Sequence, residues 1–191
     1  MTAISTRRSS KITMLSDETL QSANRIKLHV HAHDVSHPGA IRFFDIARPH
    51  ALIASCVSNV LGQLYPPGFT PPSIRSVTVF LKSFDGIAYT NGSSLDPELH
   101  KEIHLSTKYI ASCSSAAVEH EVRGVLTHEM VHALQHDGKG TCPGGLIEGI
   151  ADLVRLKCQL APPHWQRKPG ETWDAGYERT GQLVPSHFIG L

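Results

Sequence analysis

Hydrophobic and polar residues alternate along several short segments in the first half of the chain. In residues 27–33, for example, Leu28, Val30 and Ala32 alternate with three histidines, which predicts a strand with one apolar face. Turn signals at Asp85-Gly86 and Asn91-Gly92 flank another short segment. Residues 84–91 are either an edge strand along a cleft, to which an extended peptide could bind, or a plain hairpin without a role in substrate binding. The predicted strands are residues 27–33, 76–84, 87–90 and 102–106.

Helical periodicity dominates elsewhere. Residues 40–64 predict a helix with a possible break at Pro49, because proline interrupts the backbone hydrogen bonds of a helix interior. A second apolar stripe predicts a helix over about 118–136 that Gly138 and Gly140 end. A third helix over 146–156 follows Gly144-Gly145. Strands first and helices afterwards predict an α+β domain with a small mixed sheet.

The 118–136 helix contains the motif His128-Glu129-Met130-Val131-His132. Residues four apart lie on nearly the same face of a helix, so both imidazoles can reach one Zn²⁺ ion. Glu129 lies about 100° round the helix, where it is placed to take a proton from a metal-bound water rather than to bind the metal. The chain has 13 histidines, so the motif alone is weak. The alternative is that both histidines bond to backbone carbonyls at the core edge.

Catalytic zinc needs a third protein ligand. The pattern H-E-x-x-H-x-x-G-x-x-H would require glycine at 135 and histidine at 138, but the chain has Gln135 and Gly138. A second scheme takes a glutamate from the next helix, where Glu148 and Asp152 are four residues apart. His136 is about 12 Å along the helix axis from His128, too far for the same ion.

The third helix is apolar nearly all round, except for a narrow face with Glu148, Asp152 and Arg155. Buried carboxylates cost several kcal/mol each unless a cation or hydrogen bonds compensate them. Zn²⁺ on Glu148 and the N–H of a zinc-bound histidine on Asp152 would satisfy both. An ion pair between Glu148 and Arg155, with Asp152 capping nearby groups, is the alternative without metal.

Length and charge restrict the remaining possibilities. A chain of 191 residues suits a single domain, here residues 27–191, after a polar tail over 1–26 that we expect to be disordered. A net charge of +1 gives no reason to expect nucleic acid or membrane partners. The first 30 residues lack the apolar stretch of a secretory signal, which favours the cytoplasm. Nothing in the sequence indicates the oligomeric state.

Several longer strings extend beyond the single motif: HEMVHALQHDGKG, PGGLIEGIADLVRLK, APPHW and ETWDAGYERT, with VTVFLKSFDGIAYTNG and KEIHLSTKYI upstream. Together these strings resemble the basic secretory protein family of plants, fungi and bacteria. The resemblance ends near residue 180, where Gly181 to Pro185 break the pattern and the family generally continues with another helix. Family members are often secreted.

The resemblance implies a zincin-like fold and a zinc peptidase of the gluzincin type, acting on peptides or proteins. His128, His132 and Glu148 would be metal ligands, Glu129 the general base, and Asp152 the partner of a ligand histidine. Tyr177 would stabilise the oxyanion of the tetrahedral intermediate, or it packs beside Trp173 instead. The altered C-terminus supports an alternative function, a zinc-binding defence or stress protein, or a pseudoenzyme, without catalysis.

Overall fold

The computed structural model describes residues 17–46, 48–163 and 165. This part of the chain forms six helices and four strands, in the order α1 Asp17–Arg25, β1 Lys27–Ala32, α2 Pro38–Ile46, α3 Pro49–Leu64, β2 Ser76–Lys82, β3 Ala88–Gly92, β4 His100–Ser106, α4 Thr107–Ser112, α5 Val118–Leu134 and α6 Gly144–Lys157. None of these helices is long and apolar enough to cross a membrane. The fold is α+β, as the sequence predicts.

The four strands form one mixed sheet in the order β1-β2-β4-β3. The first three strands in this order are parallel, whereas β3 pairs antiparallel with β4 and forms an edge of the sheet. In this register Thr90 lies opposite Ile103, and Tyr89 lies opposite His104. The segment that we considered as an edge strand is thus at the edge of the sheet, and its antiparallel partner is β4, the next strand along the chain, rather than β2.

Helices α3 and α5 pack together and against the sheet, α3 on β1 and α5 on β3 and β4. The interface is apolar on both sides, since Val79, Leu81 and Ile103 of the sheet and Leu126 and Met130 of α5 are fully buried. Each such side chain contributes roughly 1.5–3 kcal/mol by leaving water. The hydroxyl of Tyr65 donates to the Leu134 carbonyl at 2.7 Å and fixes the end of α5. The core thus holds α5 rigidly beneath the edge strand.

Three local predictions need correction. Residues 17–25, which we expected in the disordered tail, form α1, where Ala23 packs against the core and Thr19 is buried. Asn91-Gly92 belongs to β3 rather than to a turn, because Gly92 allows the close approach of Pro97, 2.4 Å from the position of an added Cβ. Helix α5 ends at Leu134, before the glycines, because Gln135 is already extended.

The predicted break at Pro49 is confirmed, since α3 begins there with proline in the first turn, where its missing N–H is tolerated.

The sheet face opposite to the core carries a row of rings that we call the histidine face, consisting of His31, His33, Phe80, Tyr89 and His104. His104 stacks between Phe80 and Tyr89, with ring centroids 5.0 and 4.5 Å away. His31 and His33 lie beside Phe80 at the β1 edge. This face matches the polar face that the alternation in residues 27–33 predicts.

Candidate metal centre

Two packed helices bring the predicted site residues together. Helix α5 carries His128, Glu129 and His132, and α6 packs against α5 with Glu148 and Asp152 on the facing side. The motif lies at the end of α5 that adjoins the edge strand β3. Spacings of four residues place each pair on one face of its helix, so a single contact between helices assembles the whole group.

The side-chain atoms of His128, His132 and Glu148 converge on one point. The Nε2 atoms of the two histidines are 3.0 Å apart, and the Glu148 Oε2 lies 3.1 Å from the first and 3.4 Å from the second. Ligands about 2.1 Å from a tetrahedral metal ion are separated from one another by about 3.4 Å. The three atoms therefore have nearly the spacing of three corners of such a site, and among the described residues this is the group that could hold a metal ion.

Asp152 supports the first histidine from behind. Its Oδ1 lies 2.9 Å from the Nδ1 of His128, the ring nitrogen that faces away from Glu148. The side chain is almost fully buried, with 3% of the residue exposed. A carboxylate in this position fixes the ring orientation and the tautomer of a ligand histidine.

The alternative ion pair of Glu148 with Arg155 is not the arrangement in the structure. Arg155 turns away and pairs with Glu121 at 3.3 Å, and its Nε donates to the Leu160 carbonyl. Gly124 leaves room for this guanidinium, since an added Cβ would lie 2.5 Å from the Nε. Glu148 therefore contacts the two histidines and not Arg155.

The charges around the two histidines are those of a cation site. Burial alone would lower the pKa of His128, but hydrogen bonds with Asp152 and Glu148 outweigh it and raise the pKa to about 9. Burial would likewise raise the pKa of Glu148, but hydrogen bonds from both histidines lower it to about 2. Without a metal, the carboxylates hold a proton on His128 as the compensating cation. A divalent ion would replace this proton and satisfy the same charges.

Glu129 lies beside the cluster and contacts the edge strand instead of the other helix. It is 7% exposed, and the Thr90 hydroxyl lies 2.7 Å from its Oε2 and 3.1 Å from its backbone carbonyl. The shorter contact is a hydrogen bond that Thr90 donates to the carboxylate. No sequence motif marks Thr90, although its place in the alternation of the edge strand puts it on the face toward α5.

Open space borders the cluster on two sides. A cavity of about 530 Å³ runs along β3, between Thr90 and Ile147, and is lined by both histidines. A second cavity of about 320 Å³ extends from Glu129 toward Tyr109 and Trp165. Ala88, His128, Glu129 and Glu148 line both cavities. The cluster therefore lies in a cleft that passes the edge of the sheet.

Of two further residues that the sequence singles out, His136 and Tyr177, the structure describes only His136. His136 is exposed, contacts the Thr70 carbonyl at 3.3 Å and packs against Tyr65, away from the cluster, as the helical rise predicts. Tyr177 lies outside the described residues, so its proposed role stays a prediction.

Comparison with known proteins agrees with the resemblance seen in the sequence. The profile of a family described as "Peptidase of plants and bacteria" matches residues 24–185. No curated protein and no solved structure gives a significant match. The match covers most of the 191 residues and includes every residue of the cluster. The chain therefore belongs to this peptidase family, the basic secretory proteins, and its family membership implies peptide or protein substrates.

Proposed function

We propose that this protein is a zinc-dependent peptidase with a zincin-like fold, in which residues 27–191 form one catalytic domain and Glu129 is the general base. The observation that carries the proposal is the convergence of the His128, His132 and Glu148 ligand atoms at 3.0–3.4 Å from one another. In a member of a peptidase family, such a set beside a buried glutamate supports hydrolysis with a bound metal.

The ligand set favours zinc among the divalent metals. Two imidazoles and one carboxylate leave a fourth position open, which is typical of catalytic zinc sites. When bound, zinc lowers the pKa of a coordinated water toward neutrality and polarises the scissile carbonyl. The buried Asp152 keeps the Nδ1 proton of His128 in place, so that Nε2 is free to bind the metal.

Glu129 carries out the proton transfers in this mechanism. Its carboxylate accepts one proton as the water oxygen attacks the carbonyl carbon. When the C–N bond breaks, Glu129 returns this proton to the leaving nitrogen, so the carboxylate is regenerated in each turnover. The hydrogen bond from Thr90 leaves Glu129 an oxygen atom free for this exchange and holds the side chain toward the cleft. We assign the oxyanion contact to Tyr177, as the family resemblance suggests.

The substrate would lie along β3. This strand is at the edge of the sheet and pairs with β4 on one side, and Ala88, Tyr89 and Thr90 line the cleft. An extended peptide can add to such an edge through main-chain hydrogen bonds. It would pass directly over Glu129, which Thr90 contacts.

The test compares Glu129→Gln with the wild-type protein in zinc content and in cleavage of a denatured protein. We expect about one zinc per chain in both proteins and a fall in kcat/KM of about 10²–10⁴-fold in the variant, because the general base is lost. A chelator should abolish the wild-type activity. Glu119→Gln is the matched control, since Glu119 is on the same helix and pairs only with Arg123 at the surface among the described contacts.

Each contrary result has a distinct meaning. Purified protein that takes up no zinc would overturn the metal site and the peptidase mechanism together. Stoichiometric zinc without any cleavage would instead support the non-catalytic zinc-binding protein or pseudoenzyme. Equal loss of activity in both glutamine variants would show that Glu129 is not the base.

A further inference from the structure

The side chain of Gln135 contacts the second ligand histidine from behind. Gln135 follows the last residue of α5, where the extended backbone lets the side chain turn back over the final helical turn. Its Nε2 lies 2.9 Å from the Nδ1 of His132. The amide Oε1 is buried, and no residue in the described part of the chain forms a hydrogen bond with it. His132 is therefore what holds this amide in place.

This contact is the counterpart of the one between Asp152 and His128. In both cases the partner lies 2.9 Å from Nδ1, while Nε2 points to the shared centre. One histidine thus has a carboxylate from α6 behind it, and the other has an amide from the end of its own helix. A neutral partner at the second position avoids adding another carboxylate to a cluster that already includes Glu129, Glu148 and Asp152.

The chemistry of imidazole determines how the amide must act. A neutral histidine has one N–H, so binding of a metal through Nε2 requires the proton to be on Nδ1, which then becomes a donor. In the structure the amide presents its NH₂ group to Nδ1, which fits the metal-free tautomer with the proton on Nε2. Rotation of the amide by 180° exchanges two groups of nearly equal size and presents Oε1 as an acceptor.

We propose that Gln135 is a positioning residue for His132, whose amide oxygen accepts the Nδ1–H hydrogen bond when the metal is bound. The inference rests on the proposed metal site and assigns a partner to its second histidine. A side chain that only stabilised the end of α5 would be expected to have further hydrogen bonds of its own. The Oε1 of Gln135 is buried without a hydrogen bond, so the amide is stabilised most when His132 must donate a proton to it.

The test measures zinc affinity by competition with a chelator for Gln135→Met, Gln135→Glu and the control Gln21→Met. Methionine keeps the length of the side chain but cannot accept a strong hydrogen bond, so we expect binding to weaken by about 10–100-fold. Glutamate supplies an acceptor and should bind zinc at least as tightly as the wild type. Gln21 is exposed on α1, and its substitution should change the affinity by less than about twofold.

Nitrogen NMR of the ring of His132 in the zinc-loaded protein provides a second readout. We expect an Nδ1–H that is protected from solvent exchange in the wild type and in Gln135→Glu, and that exchanges faster in Gln135→Met. Wild-type affinity in Gln135→Met, or equal weakening in both Gln135 variants, would overturn the proposal, even if thermal stability falls. A wild-type protein without zinc affinity would instead overturn the proposed function.

Discussion

In the part of the chain that the structure describes, the histidines of the sheet face and those of the candidate metal centre form two clusters that differ in the side chains facing the rings. On the histidine face of the sheet, His31 lies in β1 and His33 directly follows the last residue of this strand. Their ring centroids are 5.5 Å apart, and Phe80 lies across from them. In the metal centre, His128 and His132 are four apart on a helix, with their Nε2 atoms 3.0 Å apart, and Glu148 faces both. The phenyl ring across from His31 and His33 adds tilted and edge-to-face aromatic contacts, whereas the carboxylate across from His128 and His132 adds a candidate metal ligand.

The two clusters also shift the basicity of histidine in opposite directions. Burial and the nearby Lys82 lower the pKa of His104, and the hydrogen bond with Glu102 does not compensate for them. Burial acts on His128 in the same direction, yet hydrogen bonds with Asp152 and Glu148 raise its pKa to about 9. Burial thus lowers the pKa in both clusters, and at His128 the hydrogen bonds with two carboxylates outweigh it, whereas at His104 a neighbouring lysine acts in the same direction as burial.

The largest difference should come from removing one histidine from each cluster. In His132→Ala we expect no zinc to remain after dialysis, because two protein ligands are too few for a stable site. His31→Ala should keep about one zinc per chain, since the residue lies on the opposite face of the sheet. Elemental analysis of both variants measures the number of zinc ions per chain. Loss of zinc in His31→Ala, with retention in His132→Ala, would reverse the assignment of the two clusters.

The sequence predicts the residues of the candidate metal site more completely than the fold around it. Helical spacing of four places His128 with His132, and Glu148 with Asp152, on one face of each helix, and the packing of α6 on α5 brings these two faces together. The order of the strands in the sheet could not be inferred from the sequence, because the insertion of β4 between β2 and β3 depends on contacts between distant segments. The local turn residues are equally compatible with an edge strand and with a hairpin, so they could not decide which strand pairs with β3.

The contacts that Thr90 and Gln135 make with the site residues could not be predicted from the sequence either. Thr90 approaches Glu129 only because β3 occupies the sheet edge above α5, and Gln135 reaches His132 only because α5 ends at Leu134. Neither position carries a motif. A prediction of such partners needs the backbone, since a threonine in a strand or a glutamine after a helix has many possible surroundings.

The next largest effect concerns the stability of the metal-free protein as a function of pH. The pKa of His128 is 6.5 when unfolded and about 9 when folded, so its contribution is fully present below pH 6.5 and is lost as the pH rises through 9. The free energy of unfolding should fall by on the order of 3 kcal/mol in this window. His104, with a lowered pKa, should act oppositely and reduce stability as the pH falls below 6.5.

Urea denaturation of chelator-treated protein between pH 5 and 10 would measure both effects. Zinc-loaded protein is the control and should not show the loss between pH 6.5 and 9, because the metal replaces the proton that His128 holds. A metal-free protein whose stability stays constant across this window would contradict the assigned hydrogen bonds of His128 with Asp152 and Glu148.

The smallest effect compares one carboxylate from each cluster. Asp152→Asn keeps the size of the side chain but removes the charge that faces the Nδ1 of His128, so zinc should bind about 10–100-fold more weakly. Glu102→Gln makes the same chemical change 3.2 Å from His104 and should alter zinc affinity by less than about twofold. Chelator competition on the two variants measures both affinities. Because each carboxylate contacts a histidine, equal weakening would mean that long-range charge, rather than the contact with a ligand ring, determines the affinity.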